Sequence, residues 1–337
     1  MGDVAMVVPV LRKVLFDNPD TEITLLTNAS FTGLFHGIDR LQVTAVDTKR
    51  EYKGFTGLIK LFREVSKVGP FDKLLDLHDV LRSRILGLLF RLIGTGTVRI
   101  DKGRQEKRSL LHSKKLRPLQ HSTERYADVF KKAGLRYSER PFSFPSIPSA
   151  GMSSTASPLI YSHAGPFIGF APFARHQTKS MPMALCGELL NRLSNLSYRV
   201  FLFGGPENKS HFSEWEKKYP EVVSTVSLSL SDQIALITKM NAMISMDSAN
   251  MHLAAIQGIP VLSIWGATDP CFGFSGLGTD PDTWIMTKKS LPCRPCSVFG
   301  NRPCINKNSP YECLTSIEPE DIITRLQQLI ETDHGRG

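Results

Sequence analysis

No stretch of this 337-residue chain approaches the roughly 20 consecutive apolar residues that a membrane helix needs. The nearest candidate, residues 85–93, is short, carries Arg91 and is expected as a core helix. The opening MGDVAMVVPVLRK has an acid at its third position and no long apolar core, so no secretory signal is expected. Cysteine is scarce: six in all, four of them after residue 290. That pattern argues against a disulfide scaffold and suits a reducing, cytoplasmic setting with free thiols or a metal. There is no basic helix interleaved with aromatics and no recognition motif, which speaks against nucleic acid. Acidic residues run short, 32 against 41 Lys and Arg, for a net charge of +9 and a pI near 9.3. The excess favours anionic company, either phosphorylated small molecules or an anionic membrane surface.

What is present is an α/β pattern long enough for two domains. Gly2-Asp3 opens directly onto a helical spacing of apolar residues with Pro9 inside it. A helix in this position normally follows a strand, so the first strand of the sheet is expected to be missing, through a late start or an impaired chain. Strands at 23–27, 43–47 and 71–77 alternate with helices at 58–67 and 85–93, which implies a parallel sheet wound on both faces. The basic run RIDKGRQEKRSLLHSKKLR, residues 99–117, reads either as a solvated loop or as a surface for an anionic acceptor or lipid face, with Lys102, Arg104, Lys107 and Arg108 as contacts. A helix follows at 122–133. Residues 140–166, rich in Pro, Ser and Gly, mark the boundary between an N-terminal domain, 1–150, and a C-terminal domain, 160–337. The final helix is expected to reach back onto the first domain.

The second half restarts the alternation, and its centre is ISMDSANMHLAAIQGIPVLSIWGATDP, residues 244–270. A buried strand (241–246), a turn at Asp247-Ser248, a small-residue helix (249–257) and a second strand (260–265) make a βαβ unit. Its turn offers strand ends and a helix N-terminus to a ligand. Asp247 or Ser248 would cap the helix, whose unpaired N–H groups and dipole favour an anion. His252, on the first turns, is either a phosphate contact or a packed core histidine. The unit as a whole could also be plain buried structure.

Several loops together resemble glycosyltransferase family 9, the heptosyltransferase-like enzymes of GT-B fold. They are Gly2-Asp3 followed by Pro9, the loop PFARHQTKSMP (172–182) with Lys179 before Pro182, Gly204-Gly205 with Glu207, and DSANMHLAA followed by IPVLSIWGATDP. The resemblance implies two Rossmann-like domains facing across a cleft. It also implies inverting, metal-independent transfer of a sugar from a nucleotide donor, ADP-heptose foremost, to a lipopolysaccharide-core or related glycolipid acceptor, with no cofactor. By resemblance, Lys179 and the helix start at Ser248, Ala249 and Asn250 meet the donor diphosphate, where negative charge grows as the leaving group departs. Glu207 matches the acid placed toward the donor's ribose or base, or it is a simple acid at a helix start. Asp3 matches the aspartate proposed to take the acceptor's proton, or it caps a helix beginning at Val4. Arg82, Lys102 and Arg104 are assigned to the acceptor by charge and domain. Peripheral attachment to the cytoplasmic face of the inner membrane is expected, weakening with salt. The competing reading is a catalytically silent sugar-nucleotide or polyanion binder on the same fold.

Two other signals are weighed. Asp280-Pro281-Asp282 spells a metal-binding D-x-D but lies in a Gly- and Pro-rich loop, and Asp76-Leu77-His78-Asp79 lacks a partner at ligand spacing; both are discounted. Cys293, Cys296, Cys304 and Cys313 form either a four-thiolate zinc site or a set of free thiols. Only the first pair has ligand spacing.

Overall fold

The computed structural model describes residues 1–148, 151–161 and 165–333. The chain divides into two compact units, one of Met6–Arg104 and Gln120–Pro148, the other of Met1–Ala5, Gln105–Leu119 and Ser149–Gly337. Two early segments thus group with the later half, where sequence composition placed a single border near residue 150.

The first unit contains most of helix α1 (Gly2–Asp17), strands β1 (Ile23–Thr27) and β2 (Leu41–Ala45), helix α2 (Gly54–Ser66), strand β3 (Lys73–Asp76), helix α3 (Leu81–Leu92) and strand β4 (Gly96–Arg99). Helix α1 is apolar nearly all round, and Ala5, Val8, Val10, Leu11 and Val14 are buried. That is the signature of a helix enclosed in a core rather than one lying on a surface. β1 pairs with β2 and β3 with β4, both in parallel, as two separate two-stranded sheets. Joining them would take a strand between, and none of the described residues supplies it. Helices α2 and α3 pack together around Leu61, Val65, Leu86 and Phe90. The Phe62 and Phe90 rings meet edge to face at 5.0 Å.

Helix α4 (Arg104–Ser113) occupies the run read either as a solvated loop or as an anion-facing surface, and helix α5 (Ser122–Lys132) follows. Lys107, Leu110 and Leu111 are buried at helical spacing, an inward stripe that the surrounding charge conceals. The Lys107 ammonium lies over the rings of Phe274 and Phe299, at 5.5 and 6.0 Å from their centroids, so this lysine is a packing residue and not a surface contact.

The second unit continues with the short helix α6 (Pro158–Tyr161), β5 (Phe167–Ala171), α7 (Met183–Asn195), β6 (Arg199–Leu202), α8 (Lys209–Lys218), β7 (Val222–Ser224) and α9 (Leu230–Ile237). It ends with β8 (Ala242–Met246), α10 (Ala249–Ile256), β9 (Val261–Ile264), β10 (Trp284–Ile285), α11 (Glu312–Thr315) and α12 (Pro319–Asp333). Its six strands form one parallel sheet in the order β10-β9-β8-β5-β6-β7. The central strands are uninterrupted apolar runs because helices cover both faces; every residue of β8 and β9 is buried. Helix α12 sets Ile322, Ile323, Leu326 and Ile330 into this core, packed on α7, β8 and β9 of its own sheet. From β5 the chain winds outward through β6 and β7, then returns to place β8 on the other side of β5. The loops after β5 and β8 therefore diverge from neighbouring strand ends, the geometry in which open α/β sheets bind ligands.

Candidate functional site

The loop after β5 is a closed structure of its own. Met181 N–H donates to Pro172 O at 2.8 Å, Ala174 N–H to Ser180 Oγ at 3.0 Å, and Lys179 N–H to His176 O at 2.9 Å. It ends in a 3-10 turn, Gln177–Lys179, which sends the Lys179 side chain to the end of β8. There Lys179 Nζ lies 2.9 Å from Asp247 Oδ2, with the two side chains only 15 % and 5 % exposed. Thr268 Oγ1 donates to the same carboxylate oxygen at 2.7 Å. A buried carboxylate requires such partners, since its desolvation is otherwise uncompensated. The Lys179 stem is covered by Gly300, which adopts φ +73°. A Cβ at Gly300 would stand 2.5 Å from Lys179 Cγ. Thr178 Oγ1 donates to Gly300 O at 2.6 Å and ties the two loops together.

Ser248 occupies the N-cap position of α10, but its side chain makes no capping bond; its Oγ lies 3.2 Å from Ser245 Oγ instead. Asp247 does not cap either, because its carboxylate is turned to Lys179 and Thr268. The expectation that one of the two caps the helix is corrected: the first amides of α10, beginning at Ala249, carry no side-chain cap from either residue. His252 is buried one turn in. Gly2 packs on it closely enough that a Cβ there would meet the ring Cδ2 at 2.9 Å and Ala249 Cα at 3.9 Å. The start of α1 thus meets the start of α10. Asp3, the next residue, is exposed within the first turn of α1. Because α1 begins at Gly2, Asp3 is not the N-cap of a helix starting at Val4, although a carboxylate in a first turn still suits the dipole.

Glu207 is exposed in the 3-10 turn Pro206–Asn208, directly ahead of α8. Its carboxyl folds back over Gly205, where a Cβ would fall 2.6 Å from Glu207 Cδ, while Asn208 Oδ1 accepts from Gly205 N–H at 3.1 Å. The PFARHQTKSMP loop is electropositive. Burial, and then the Lys179 and Arg175 charges, hold His176 below its ordinary value of 6.5.

The residues assigned to an acceptor belong to the other unit. Arg82 donates to Thr48 Oγ1 at 2.8 Å, and Lys102 is half-buried. Arg104 is clamped on Asp79, through Nη1 to Oδ2 at 2.6 Å and Nη2 to the backbone carbonyl at 2.8 Å. Asp79 is buried, sits at φ +46° and also faces Arg84 at 2.8 Å and Arg99 at 3.5 Å. The Arg84 hydrogen bond outweighs the cost of burial and, with Arg104, holds the Asp79 carboxyl below its ordinary range. Sequence reasoning missed this cluster, because only the fold brings Asp79 together with Arg84, Arg99 and Arg104. Asp76 organises the same turn, accepting from the backbone N–H of His78 and Asp79 and from the Ser83 hydroxyl.

The D-x-D is a turn device, with Asp280 Oδ1 accepting from Asp282 N–H at 2.8 Å. The four late cysteines line one pocket with Arg294 and Thr178. Burial raises the Cys296 thiol and pushes Cys313 up to about 12, while Cys304 Sγ accepts from Tyr311 N–H at 3.3 Å. All six cysteines are free. Among the described residues, no three His, Cys, Asp or Glu side chains are gathered as a metal would require, and no helix is long and apolar enough to cross a membrane.

The model of glycosyltransferase family 9 (heptosyltransferase) matches residues 58–298. Lipopolysaccharide heptosyltransferase 1 of Pseudomonas aeruginosa is 24 % identical over 287 residues, covering 80 % of this chain and 76 % of that protein. Among solved structures, a family 9 glycosyl transferase from Veillonella parvula superposes with TM-score 0.75 at 20 % identity, over 98 % of this chain and 95 % of that one. An Escherichia coli heptosyltransferase bound to ADP-2-deoxy-2-fluoro heptose gives TM-score 0.67 at 18 % identity, over 97 % and 96 %. The architecture is GT-B. A family match over well more than half its length, with a parallel-sheet switch point carrying a lysine beside a helix start, makes this chain a member of glycosyltransferase family 9.

Proposed function

We propose that this enzyme is an inverting glycosyltransferase that moves heptose from ADP-heptose to a lipopolysaccharide-core or related glycolipid acceptor without a metal. The observation that carries the reading is the Lys179–Asp247 pair at 2.9 Å, set at the side-chain-uncapped start of α10. An acceptor hydroxyl attacks the anomeric carbon from the face opposite the diphosphate. The new C–O bond forms as the bond to the diphosphate oxygen breaks; ADP leaves, and the hydroxyl proton passes to the Asp3 carboxylate. Negative charge gathers on the departing diphosphate, where a fixed ammonium and aligned amides stabilise it most. Asp247 positions the ammonium, and Glu207 turns toward the donor's ribose or base. The heptosyltransferases among the relatives, and the ADP-heptose analogue held by the Escherichia coli enzyme, support this choice of donor. The acceptor places the enzyme at the cytoplasmic face of the inner membrane, bound peripherally.

The test is incubation with ADP-heptose and a truncated core acceptor, following free ADP and the anomeric configuration of the product by NMR. Transfer with inversion, unchanged by EDTA, is expected, together with a loss of about 10²-fold or more in kcat for Lys179→Ala. ADP-heptose turned over equally well by that variant would overturn the assignment. The exposure of Asp3 favours a second reading, a silent sugar-nucleotide binder. Donor binding with no ADP released would select it.

A further inference from the structure

Helix α3 is amphipathic twice over. Leu86, Gly87 and Phe90 face the core, and the absence of a side chain at Gly87 lets the helix approach Thr97 of β4. On the far side a second apolar stripe faces solvent. Leu81, Leu88 and Leu92 are 74 %, 56 % and 75 % exposed. At 100° per residue, Leu81, Ile85, Leu88 and Leu92 fall within a wedge of roughly 60°, opposite the buried face. Arginines flank it, Arg84 and Arg91 on one edge and Arg82 on the other, all exposed. The helix carries three arginines and no acid. Arg84 reaches back to Asp79, yet its side chain stays 48 % exposed.

We infer that this face of α3 docks the enzyme on an anionic phospholipid bilayer, with the leucines entering the headgroup boundary and the arginines engaging lipid phosphates. The charge pattern selects this occupant. A second copy meeting the stripe through a two-fold axis would set arginine against arginine, whereas an anionic lipid surface matches both the apolar wedge and its cationic rims. The inference deepens the proposed function, resting on it only in that a lipid-linked acceptor gives such docking a purpose.

The experiment is cosedimentation of the full chain with vesicles of phosphatidylglycerol and phosphatidylethanolamine, against vesicles of phosphatidylcholine alone. The wild type is expected to prefer the anionic vesicles and to be released as salt rises from about 0.1 to about 1 M. Leu88→Ser with Leu92→Ser is expected to weaken partitioning by about tenfold or more, leaving the melting temperature and the turnover of a water-soluble acceptor unchanged, because both side chains are exposed. Equal binding by the variant, or a wild type indifferent to phosphatidylglycerol, overturns the inference. So does a light-scattering mass of two chains that falls to one in the variant, which would assign the face to self-association. Vesicle binding without sugar transfer removes the transferase reading and leaves this surface standing; transfer to a soluble acceptor without vesicle binding does the reverse.

Discussion

Gly300→Ala tests the proposed chemistry at a residue that carries none of it. The added methyl would stand 2.5 Å from Lys179 Cγ and 3.4 Å from Thr178 Oγ1, on a backbone at φ +73°. These are mid-stem atoms of a lysine held at its far end by Asp247, 2.9 Å away, so the stem cannot swing aside at no cost. Either the ammonium leaves Asp247, or the loop lifts and breaks the Thr178 hydroxyl bond to Gly300 O at 2.6 Å and the bond of Gly300 N–H to Ser297 Oγ at 2.9 Å. The left-handed backbone costs about 1 kcal/mol and the overpacking about 1–3 kcal/mol more. A lowered melting temperature follows. The effect on turnover is larger in proportion, because misplacing a charge-stabilising group by about 1 Å costs on the order of 10²-fold. The assay is steady-state ADP release for wild type, Gly300→Ala, Lys179→Ala and the double variant. If the methyl acts through the lysine, the double variant is no slower than Lys179→Ala alone. Additive losses in kcat, or Gly300→Ala turning over at the wild-type rate, would refute this account of how Lys179 is held.

Asp79→Asn keeps a residue that tolerates the left-handed backbone while removing the charge shared by Arg84, Arg99 and Arg104. About 1–2 kcal/mol of stability is expected to go, discounted because the arginines are half exposed; urea denaturation measures it, and an unchanged midpoint would show the cluster to be inert. Since the folded Asp79 lies below its ordinary value of 3.8, its stabilisation is complete above that pH and is lost as pH falls through the depressed value, so wild type and variant should converge in stability in strong acid. His176 is held below 6.5 by burial and by Lys179 and Arg175; a bound diphosphate counters those charges, so ADP binding near pH 6 should take up protons. Calorimetry in buffers of different ionisation enthalpy reads this, and proton uptake that persists in His176→Gln would assign it elsewhere. Cys186, fully buried, is expected to resist a maleimide that labels Cys293 and Cys304, and purified protein is expected to hold no stoichiometric zinc; a chelator-sensitive melting temperature would instead show the four late thiols closing on an ion.

The second-half sheet, apart from its two-residue edge strand β10, was legible because its strands are short, uninterrupted apolar runs between turn residues. The segment predicted as strand at 241–246 is β8 at Ala242–Met246, and the helix predicted at 249–257 is α10 at Ala249–Ile256. Such runs announce themselves because each residue is buried on one face or the other. Helix α4 was not legible: its inward stripe is Lys107, Leu110 and Leu111, and a lysine whose stem packs under aromatic rings reads as surface in any count of charge. The capping expectation at Asp247-Ser248 failed for a related reason. A local rule gives an aspartate before a helix to its own amides, but Lys179, distant in the chain, claims this carboxylate in the folded state. Gly300 left no signal, since its role depends on the stem of a side chain more than a hundred positions away. Arg104 looked like a free cation because Asp79 is brought to it by tertiary structure alone.

The pairing of Lys179 with Asp247 fixes both side chains where the β5 and β8 loops meet. An ammonium alone in a half-buried turn would be drawn out toward solvent. A carboxylate holding it across the switch point prevents that, and in the proposed reaction it competes for the charge that a donor diphosphate would need. The competition is resolved by geometry. A lysine carries three donors, and Asp247 is shared with the Thr268 hydroxyl at 2.7 Å, so in the proposed complex the carboxylate would keep a partner while the ammonium turned a second donor toward the diphosphate. No part of the loop must be reordered for that turn, because Thr178, Ser180 and Gly300 already fix its backbone. An electrostatic site that is rigid before the leaving group departs stabilises the charge at departure without reorganisation. In the proposed transfer, that rigidity would come jointly from the β5 and β8 loops.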